Sequence, residues 1–399
     1  MAKKPKLEIP GLDITRAKQY SRVRLGVLLL GTAWSIGRMA WLGLGGRSAR
    51  LRDVTRNRVP DERLATPTFV AAMALGSWVS GLPLSYLGGH RIERRFGLTK
   101  QTSRSWFLDS LKGFLLGLVF EVPLTTAAYA VIRRRPRDGW AILAGSAVPL
   151  SVALSNLAPV LILPLFNRFE RLEDESLVGR IKRLGERAGV PIADVYRMDM
   201  SRQTQKANAF FTGLGNTKRI VLGDTMIDQF TPEEIEGVVA HELGHQVHGD
   251  IWRLVALGGA YGFGGAYAVH RLAPPFIART GQQSRIKGID DEASLPLIGL
   301  VTTLVAFAAA PIQAAISRAI ERRTDRFALA LTGSGRAYAA TMRRLATQNL
   351  ADPDPPRLVV FFLGSHPPIA ERIAMAEAFT SDGGERLVSD HLSPAGRLR

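Results

Sequence analysis

The chain alternates long apolar stretches with strongly polar ones. Residues 64–89, 139–167 and 293–317 contain no Asp, Glu, Lys or Arg. Each stretch exceeds the roughly 20 residues that a helix needs to cross about 30 Å of hydrocarbon, so the pattern predicts a membrane protein. With three weaker apolar stretches included, we predict six membrane spans, at about 25–46, 66–88, 113–132, 140–164, 251–270 and 294–317.

A polar stretch at about 165–250 separates the fourth span from the fifth. Leu177, Ile181 and Leu184 recur at helical spacing and predict a helix near 173–188. Short runs of β-forming residues predict strands, and a Thr-Pro-Glu-Glu sequence at 231–234 has the pattern of a capped helix start. This region is therefore predicted to be a mixed α and β unit, with strands at 194–199, 207–212 and 218–223.

The composition limits the kinds of metal site, nucleophile and partner that the chain can have. The chain has 399 residues, with 52 Lys and Arg against 35 Asp and Glu, and it contains no cysteine. The missing thiols exclude disulfides, cysteine nucleophiles and zinc–thiolate or iron–sulfur sites, so any metal must be held by His and carboxylates. The basic residues are scattered among loops and do not gather on one aromatic-rich face, so we expect no nucleic-acid partner.

The predicted helix that follows Thr231 carries the motif His241-Glu242-Leu243-Gly244-His245. Residues four apart lie on one face of a helix, so both imidazoles can reach one metal ion. Glu242 lies beside them, where a carboxylate can take a proton from a metal-activated water. The pattern predicts a hydrolytic metal site with Glu242 as its catalytic residue, and the alternative is a histidine pair without a metal.

Two His ligands require a third protein ligand in a catalytic zinc site. The helix predicted after the sixth span offers Glu321 as a candidate ligand, and Asp325 as a candidate acceptor that would orient a ligand imidazole. Taken alone, two acids among arginines are also typical of a solvated helix face. Imidazole and carboxylate ligands with an open position favour zinc, one ion per chain.

Two further groups are candidates for contact with a substrate. Asn208, Ala209 and Phe210 begin a predicted strand upstream of the metal helix, and an edge strand there can pair with an extended peptide. The alternative is an ordinary strand of the sheet. His366 precedes a Pro-Pro turn and can donate to a developing oxyanion, with Arg372 bracing the site; alternatively, His366 is a plain loop histidine.

These residues resemble the integral-membrane zinc metalloproteases of the CAAX prenyl protease (type 1) family, in a prokaryotic form. HELGH (241–245), ERRTD (321–325) and SHPPIAER (365–372) carry the likeness. It extends to the segments at 91–113, 158–177 and 206–225, and spans roughly 65–380. It implies that His241, His245 and Glu321 are the zinc ligands and that Glu242 is the catalytic glutamate. It further implies that Asp325 is an aspartate that holds a ligand imidazole without touching the zinc. It also implies substrate contact at Asn208 and a reaction-centre pair, His366 and Arg372.

The resemblance implies a mainly α fold, in which a polytopic bundle of six or seven spans encloses a chamber and joins a gluzincin-like α+β zinc metalloprotease domain. The bundle and catalytic domain are interleaved along the chain, between a basic leader and a C-terminal tail. The predicted order is leader, four spans, first catalytic part, two spans, second catalytic part and tail, at 1–24, 25–164, 165–250, 251–317, 318–380 and 381–399.

The leading functional hypothesis is a membrane-embedded zinc endopeptidase acting on membrane-associated or lipid-modified polypeptides. The expected partners are a peptide or protein substrate, prenylated or not, and membrane lipid. The expected location is a prokaryotic cytoplasmic membrane, or the endoplasmic reticulum in a eukaryote. One alternative is a membrane quality-control protease of the HtpX kind, and an alternative of another class is a non-catalytic metal-binding membrane scaffold.

Overall fold

The fold is known from a computed structural model that describes residues 8–213 and 218–381, and it is mainly helical. In chain order, the helices are α1 (Ile14–Leu44), α2 (Arg47–Arg58), α3 (Glu62–Tyr86), α4 (Ile92–Arg95), α5 (Ser103–Arg134), α6 (Gly139–Leu157), α7 (Glu175–Arg187), α8 (Asp224–Ile227), α9 (Pro232–Val247), α10 (Asp250–Ser284), α11 (Leu295–Thr332), α12 (Gly335–Gln348), α13 (Arg357–Leu363) and α14 (Ile369–Ser381). The strands are β1 (Phe169–Arg171), β2 (Asp194–Met198), β3 (Ala209–Thr212) and β4 (Arg219–Gly223).

Within the described residues, 5 helical segments are long and apolar enough to cross a membrane. The fifth predicted span lies in α10, whose 35 residues are more than long enough. Its predicted span contains five glycines and two tyrosines, which lower its mean hydropathy, and α10 is not among the five. The five segments are Ile14–Leu44, Arg63–Arg95, Ser103–Arg134, Gly139–Leu165 and Glu292–Thr332.

The first membrane helix begins inside the segment predicted as a leader. Asp13 caps it, because its side chain accepts a 2.9 Å hydrogen bond from the backbone N–H of Arg16. The helix therefore starts about three turns before the first apolar residues of the predicted span. The first seven residues of the predicted leader, and the predicted tail beyond residue 381, lie outside the described residues.

A four-stranded mixed sheet has the strand order β1-β2-β4-β3. Strands β2 and β4 are parallel, and the β1–β2 and β3–β4 pairs are antiparallel. The three strands predicted from the sequence are confirmed as β2, β3 and β4. Among the described residues, β3 pairs with β4 alone, so it forms an edge of the sheet.

Helix α9 starts as its capping pattern predicts. The Thr231 hydroxyl accepts from the Glu234 N–H at 3.3 Å, while the Glu234 carboxylate accepts from the Thr231 N–H at 3.0 Å. The helix then packs against the end of α11 and against α12, burying Ile235 and Leu243 completely. One hydrophobic core thus joins α9 to the sheet, α7, α12, α14 and the last turns of α11.

Candidate metal centre

Three side chains from two helices converge on one point. His241 and His245 lie one turn apart on α9, and Glu321 comes from α11. The Nε2 atom of His241 lies 3.2 Å from Oε2 of Glu321, and Nε2 of His245 lies 3.6 Å from Oε1. One ligand atom from each of the three residues lies within 4.8 Å of the other two, so the group could hold a metal ion.

The distances fit a tetrahedral ion. Two ligand atoms that each lie about 2.0–2.1 Å from such an ion are about 3.3 Å apart. The buried Oε2 atom of Glu321 has no hydrogen-bond partner within the described structure, and unpaired buried carboxylate oxygens are costly. A cation between the three side chains would satisfy this oxygen, so the donor set fits a metal.

His241 is oriented from behind by a buried network. Its Nδ1–H donates to Oδ1 of Asp325 at 2.9 Å, which leaves Nε2 for a metal. Arg372 donates to both Asp325 oxygens, at 2.9 and 2.6 Å, and the Tyr338 hydroxyl donates to Oδ1 at 2.5 Å. Asp325 and Tyr338 are fully buried. Burial lowers the pKa of His241, but the hydrogen bond to Asp325 and the close carboxylate of Glu321 outweigh burial and raise it to about 9.

His245 has its own carboxylate partner, Asp250, which the sequence analysis missed. The Nδ1 atom of His245 lies 2.9 Å from Oδ2 of Asp250, and Arg323 forms an ion pair with the other oxygen. Gly249 makes this possible, because its left-handed backbone (φ 63°) ends α9 and turns the chain into α10. The available signal was an acid five residues after the second His, directly after a glycine.

Glu242 is half-buried next to the two imidazoles. Burial raises the pKa of its carboxyl above the usual range, although nearby His241 and His245 oppose that rise. A carboxyl whose pKa is moved toward neutrality is better matched to taking up and releasing a proton.

His366 and Arg372 take different positions at this centre. The Nε2 atom of His366 lies 3.4 Å from Oε2 of Glu321, and 56% of the His366 side chain is exposed. The guanidinium of Arg372 is buried and contacts Asp325, behind the metal-binding face of His241. His366 is therefore the more exposed of the two and Arg372 lies behind His241, while their expected roles as a pair at the reaction centre remain predictions.

A cavity of about 390 Å³ borders this centre at His241, and one of its walls is the start of β3. Asn208 and Ala209 line it together with His241, Glu242 and His366. The Phe210 side chain lies elsewhere, in a cavity of about 820 Å³ against the sheet, because neighbouring side chains of a strand point to opposite faces. The structure thus places Asn208 and Ala209 at the centre, but not the Phe210 side chain.

The free backbone edge of β3 belongs to Ala209 and Phe211. Asn208 accepts from the Gly223 N–H at 3.0 Å, so Asn208 and, by alternation, Phe210 direct their backbone groups toward β4. Ala209 and Phe211 must then direct theirs away from the sheet. Phe211, which the sequence analysis did not single out, is the second position where an extended peptide can pair.

Comparison with known proteins identifies the family. Residues 171–380 match the model of peptidase family M48, and residues 5–168 match that of the CAAX prenyl protease N-terminal region, five membrane helices. The first match covers more than half of the chain. The chain belongs to peptidase family M48. The predicted family is confirmed, and this M48 member is an integral, multi-pass membrane metallopeptidase.

Individual relatives agree. The "Uncharacterized metalloprotease YhfN" of Bacillus subtilis (strain 168) is 31% identical over 367 residues, which cover 92% of this chain and 85% of that protein. The "CAAX prenyl protease 1 homolog" of Arabidopsis thaliana is 30% identical, covering 78% and 73%. The crystal structure of S. mikatae Ste24p superposes with a TM-score of 0.83 at 24% identity, covering 94% of this chain and 91% of that one. This likeness confirms the predicted fold.

Proposed function

We propose that this M48 metallopeptidase is a zinc-dependent endopeptidase that cleaves membrane-associated or lipid-modified polypeptides. The observation that carries the proposal is the convergence of His241, His245 and Glu321 beside Glu242, bordering a cavity with a free strand edge. The domain boundaries and the residue roles that the sequence predicts are part of this proposal.

Zinc is favoured by the donor set of two imidazoles and one carboxylate, with room for a further ligand. A zinc ion at these residues would polarise the scissile carbonyl group and lower the pKa of a water molecule. Asp325 and Asp250 each accept from the Nδ1–H of one His ligand, which fixes the tautomer and the ring orientation.

The chain's own residues then divide the proton transfers. Glu242 takes a proton from the attacking water and passes it to the leaving nitrogen, a function for which its raised pKa is suited. His366 donates a hydrogen bond to the negative charge that develops on the scissile carbonyl oxygen. Arg372 acts through Asp325 as a positioning residue for His241.

The substrate is proposed to bind as an additional strand on β3. The outward backbone groups of Ala209 and Phe211 would pair with an extended peptide, and Asn208 would add a side-chain hydrogen bond at the cavity. The membrane helices place this edge in a protein embedded in lipid, which supports substrates that are held at a membrane. The name of the Arabidopsis relative supports prenylated chains as one class to test.

The proposed location is a prokaryotic cytoplasmic membrane, for which the bacterial relative at 92% coverage is the support. A quality-control protease of the HtpX kind is less favoured, because residues 5–168 match the CAAX prenyl protease N-terminal region.

The test is cleavage of matched fluorogenic peptides, one prenylated and one not, by the purified protein in nanodiscs. Glu242→Gln should retain zinc and lose at least about 100-fold in kcat, because the proton-transfer group is removed. A matched control is Glu236→Gln, on the same helix but paired with Arg180 at 2.7 Å, which should cleave normally. Chelation should stop cleavage and zinc should restore it. Full activity of the Glu242 variant would refute the mechanism, and no metal-dependent cleavage by the wild-type protein would support a non-catalytic metal site.

A further inference from the structure

The segment before the substrate strand is held on both sides. From the membrane side, Gln205 N–H donates to the Leu98 carbonyl at 2.8 Å, and the Thr99 hydroxyl donates to the Gln203 carbonyl at 2.7 Å. From the catalytic side, Ala207 N–H donates to the Asn349 side chain at 2.9 Å. Residues 203–207 therefore bridge the loop after α4 and the end of α12, and they lead directly to Asn208 and Ala209.

Lys206, in the middle of this bridge, closes a ring of three side chains. Its ammonium group lies 2.9 Å from Oε2 of Glu93 and donates to the Tyr20 hydroxyl at 2.8 Å. The Tyr20 hydroxyl in turn donates to Oε1 of Glu93 at 2.6 Å. Tyr20 belongs to α1 and Glu93 to α4, so the ring joins two helices of the membrane region to the strand that borders the metal centre.

Two members of the ring, Glu93 and Tyr20, are largely protected from water, and Lys206 is partly exposed. The side chains of Glu93 and Lys206 are 10% and 31% exposed, and Tyr20 is buried with its ring edge-on to Phe96 at 5.1 Å. A buried carboxylate requires opposite charge, and the other cation on Glu93, Arg24 at 3.2 Å, has a side chain that is 48% exposed. Lys206 is the less exposed of its two cationic partners and the one next to the substrate strand.

We infer that Lys206, clamped by Glu93 and Tyr20, is a positioning residue that fixes the register of the substrate strand against the metal centre. A shift of one residue along a strand turns every side chain to the other face. Lys206 lies two residues before Asn208 and three before Ala209, so its fixed ammonium group sets where the free edge of β3 begins. This inference rests on the proposed proteolytic function and extends it to the selection of the cleaved bond.

The test uses one long peptide in nanodiscs, with KM and kcat measured and the cleaved bonds identified by mass spectrometry. Lys206→Met should raise KM about 10-fold with kcat nearly unchanged, because a hydrogen-bonded charge is lost away from the reacting atoms. It should also spread cleavage to neighbouring bonds. Lys206→Arg, which retains the charge and the donors, should restore a single cleaved bond. Lys182→Met, a half-buried lysine on α7, is the matched control and should change neither quantity.

The outcomes separate this inference from the proposed function. If the wild-type protein shows no metal-dependent cleavage, the proposed function fails. If it cleaves and Lys206→Met leaves KM and the cleaved bond unchanged, the positioning inference is overturned. A fall in kcat with loss of zinc would instead show a structural role and would also overturn it. If Lys206→Met does not fold, Tyr20→Phe decides, because it removes one hydroxyl and leaves the ion pair: spread cleavage supports the inference and a single bond refutes it.

Discussion

Replacing Asp250 by asparagine tests whether the carboxylate behind His245 supports metal binding. Asp250 is 1% exposed, accepts from Nδ1 of His245 at 2.9 Å and forms an ion pair with Arg323. Asparagine has nearly the same shape but no charge, and its amide group would face either the imidazole N–H or the arginine. The substitution therefore weakens the orientation of one ligand without removing any ligand atom.

The expected magnitude follows from these contacts. Loss of a carboxylate that orients a ligand imidazole typically costs about 10–100-fold in metal affinity, which is about 1.4–2.7 kcal/mol. The loss of unfolding free energy should stay near 1–2 kcal/mol, because the Arg323 side chain is 33% exposed and can be partly hydrated. Metal affinity and the stability of the metal-free protein should thus both fall, and the two losses are measured separately.

The assay is competition for zinc between the purified protein and a chromophoric chelator, with thermal unfolding of the metal-free protein measured in parallel. Asp228→Asn is the matched control. The Asp228 side chain is 58% exposed, and its ion-pair partner at 3.8 Å is Arg197, not a residue of the metal centre. Unchanged zinc affinity in Asp250→Asn, when His245→Ala abolishes binding, would refute the proposed orienting function of Asp250.

Three further results are expected. Gly244→Ala should lower the unfolding free energy by about 1–3 kcal/mol in thermal melts, because its Cβ would lie 2.8 Å from Cγ2 of Thr324 where α9 meets α11; an unchanged Tm would contradict that contact. Arg372→Gln should lower the free energy of unfolding by about 3–5 kcal/mol, because the buried Asp325 carboxylate would lose the arginine that it pairs with. An unfolding free energy equal to that of the wild type would argue against the network. Saturating zinc at about 1,000 times Kd should stabilise the metal-free protein by about 4 kcal/mol, and a Tm independent of zinc would exclude binding to the folded state.

Local signals account for what the sequence predicts well. The spacing of His241 and His245 and the capping residues around Thr231 act within one or two turns of a single helix, so they can be read without knowing the fold. The same is true of the strands around Phe210, whose runs of β-forming residues are short but continuous. These features are confirmed at nearly the predicted residues.

The features of the site that the sequence does not predict depend on how separate helices and strands pack together. Asp250 reaches His245 because Gly249 breaks one helix and starts another, and a glycine alone does not reveal the direction of the new helix. Tyr338 joins the network at His241 from a helix that begins after both ligand helices, with no local pattern to mark it. The Phe210 side chain turns away from the centre because the pairing of β3 with β4, which spacing cannot supply, decides its face.

The order of the site residues along the chain affects how the protein can mature. His241 and His245 are synthesised before α10 and α11, whereas Glu321 lies near the end of α11 and Arg372 comes after it. Both long helices must be in place before α9 and the end of α11 can meet. A nascent or incompletely inserted chain would therefore hold only two of the three proposed ligands, and the cell would be protected from its hydrolytic activity until biogenesis is complete.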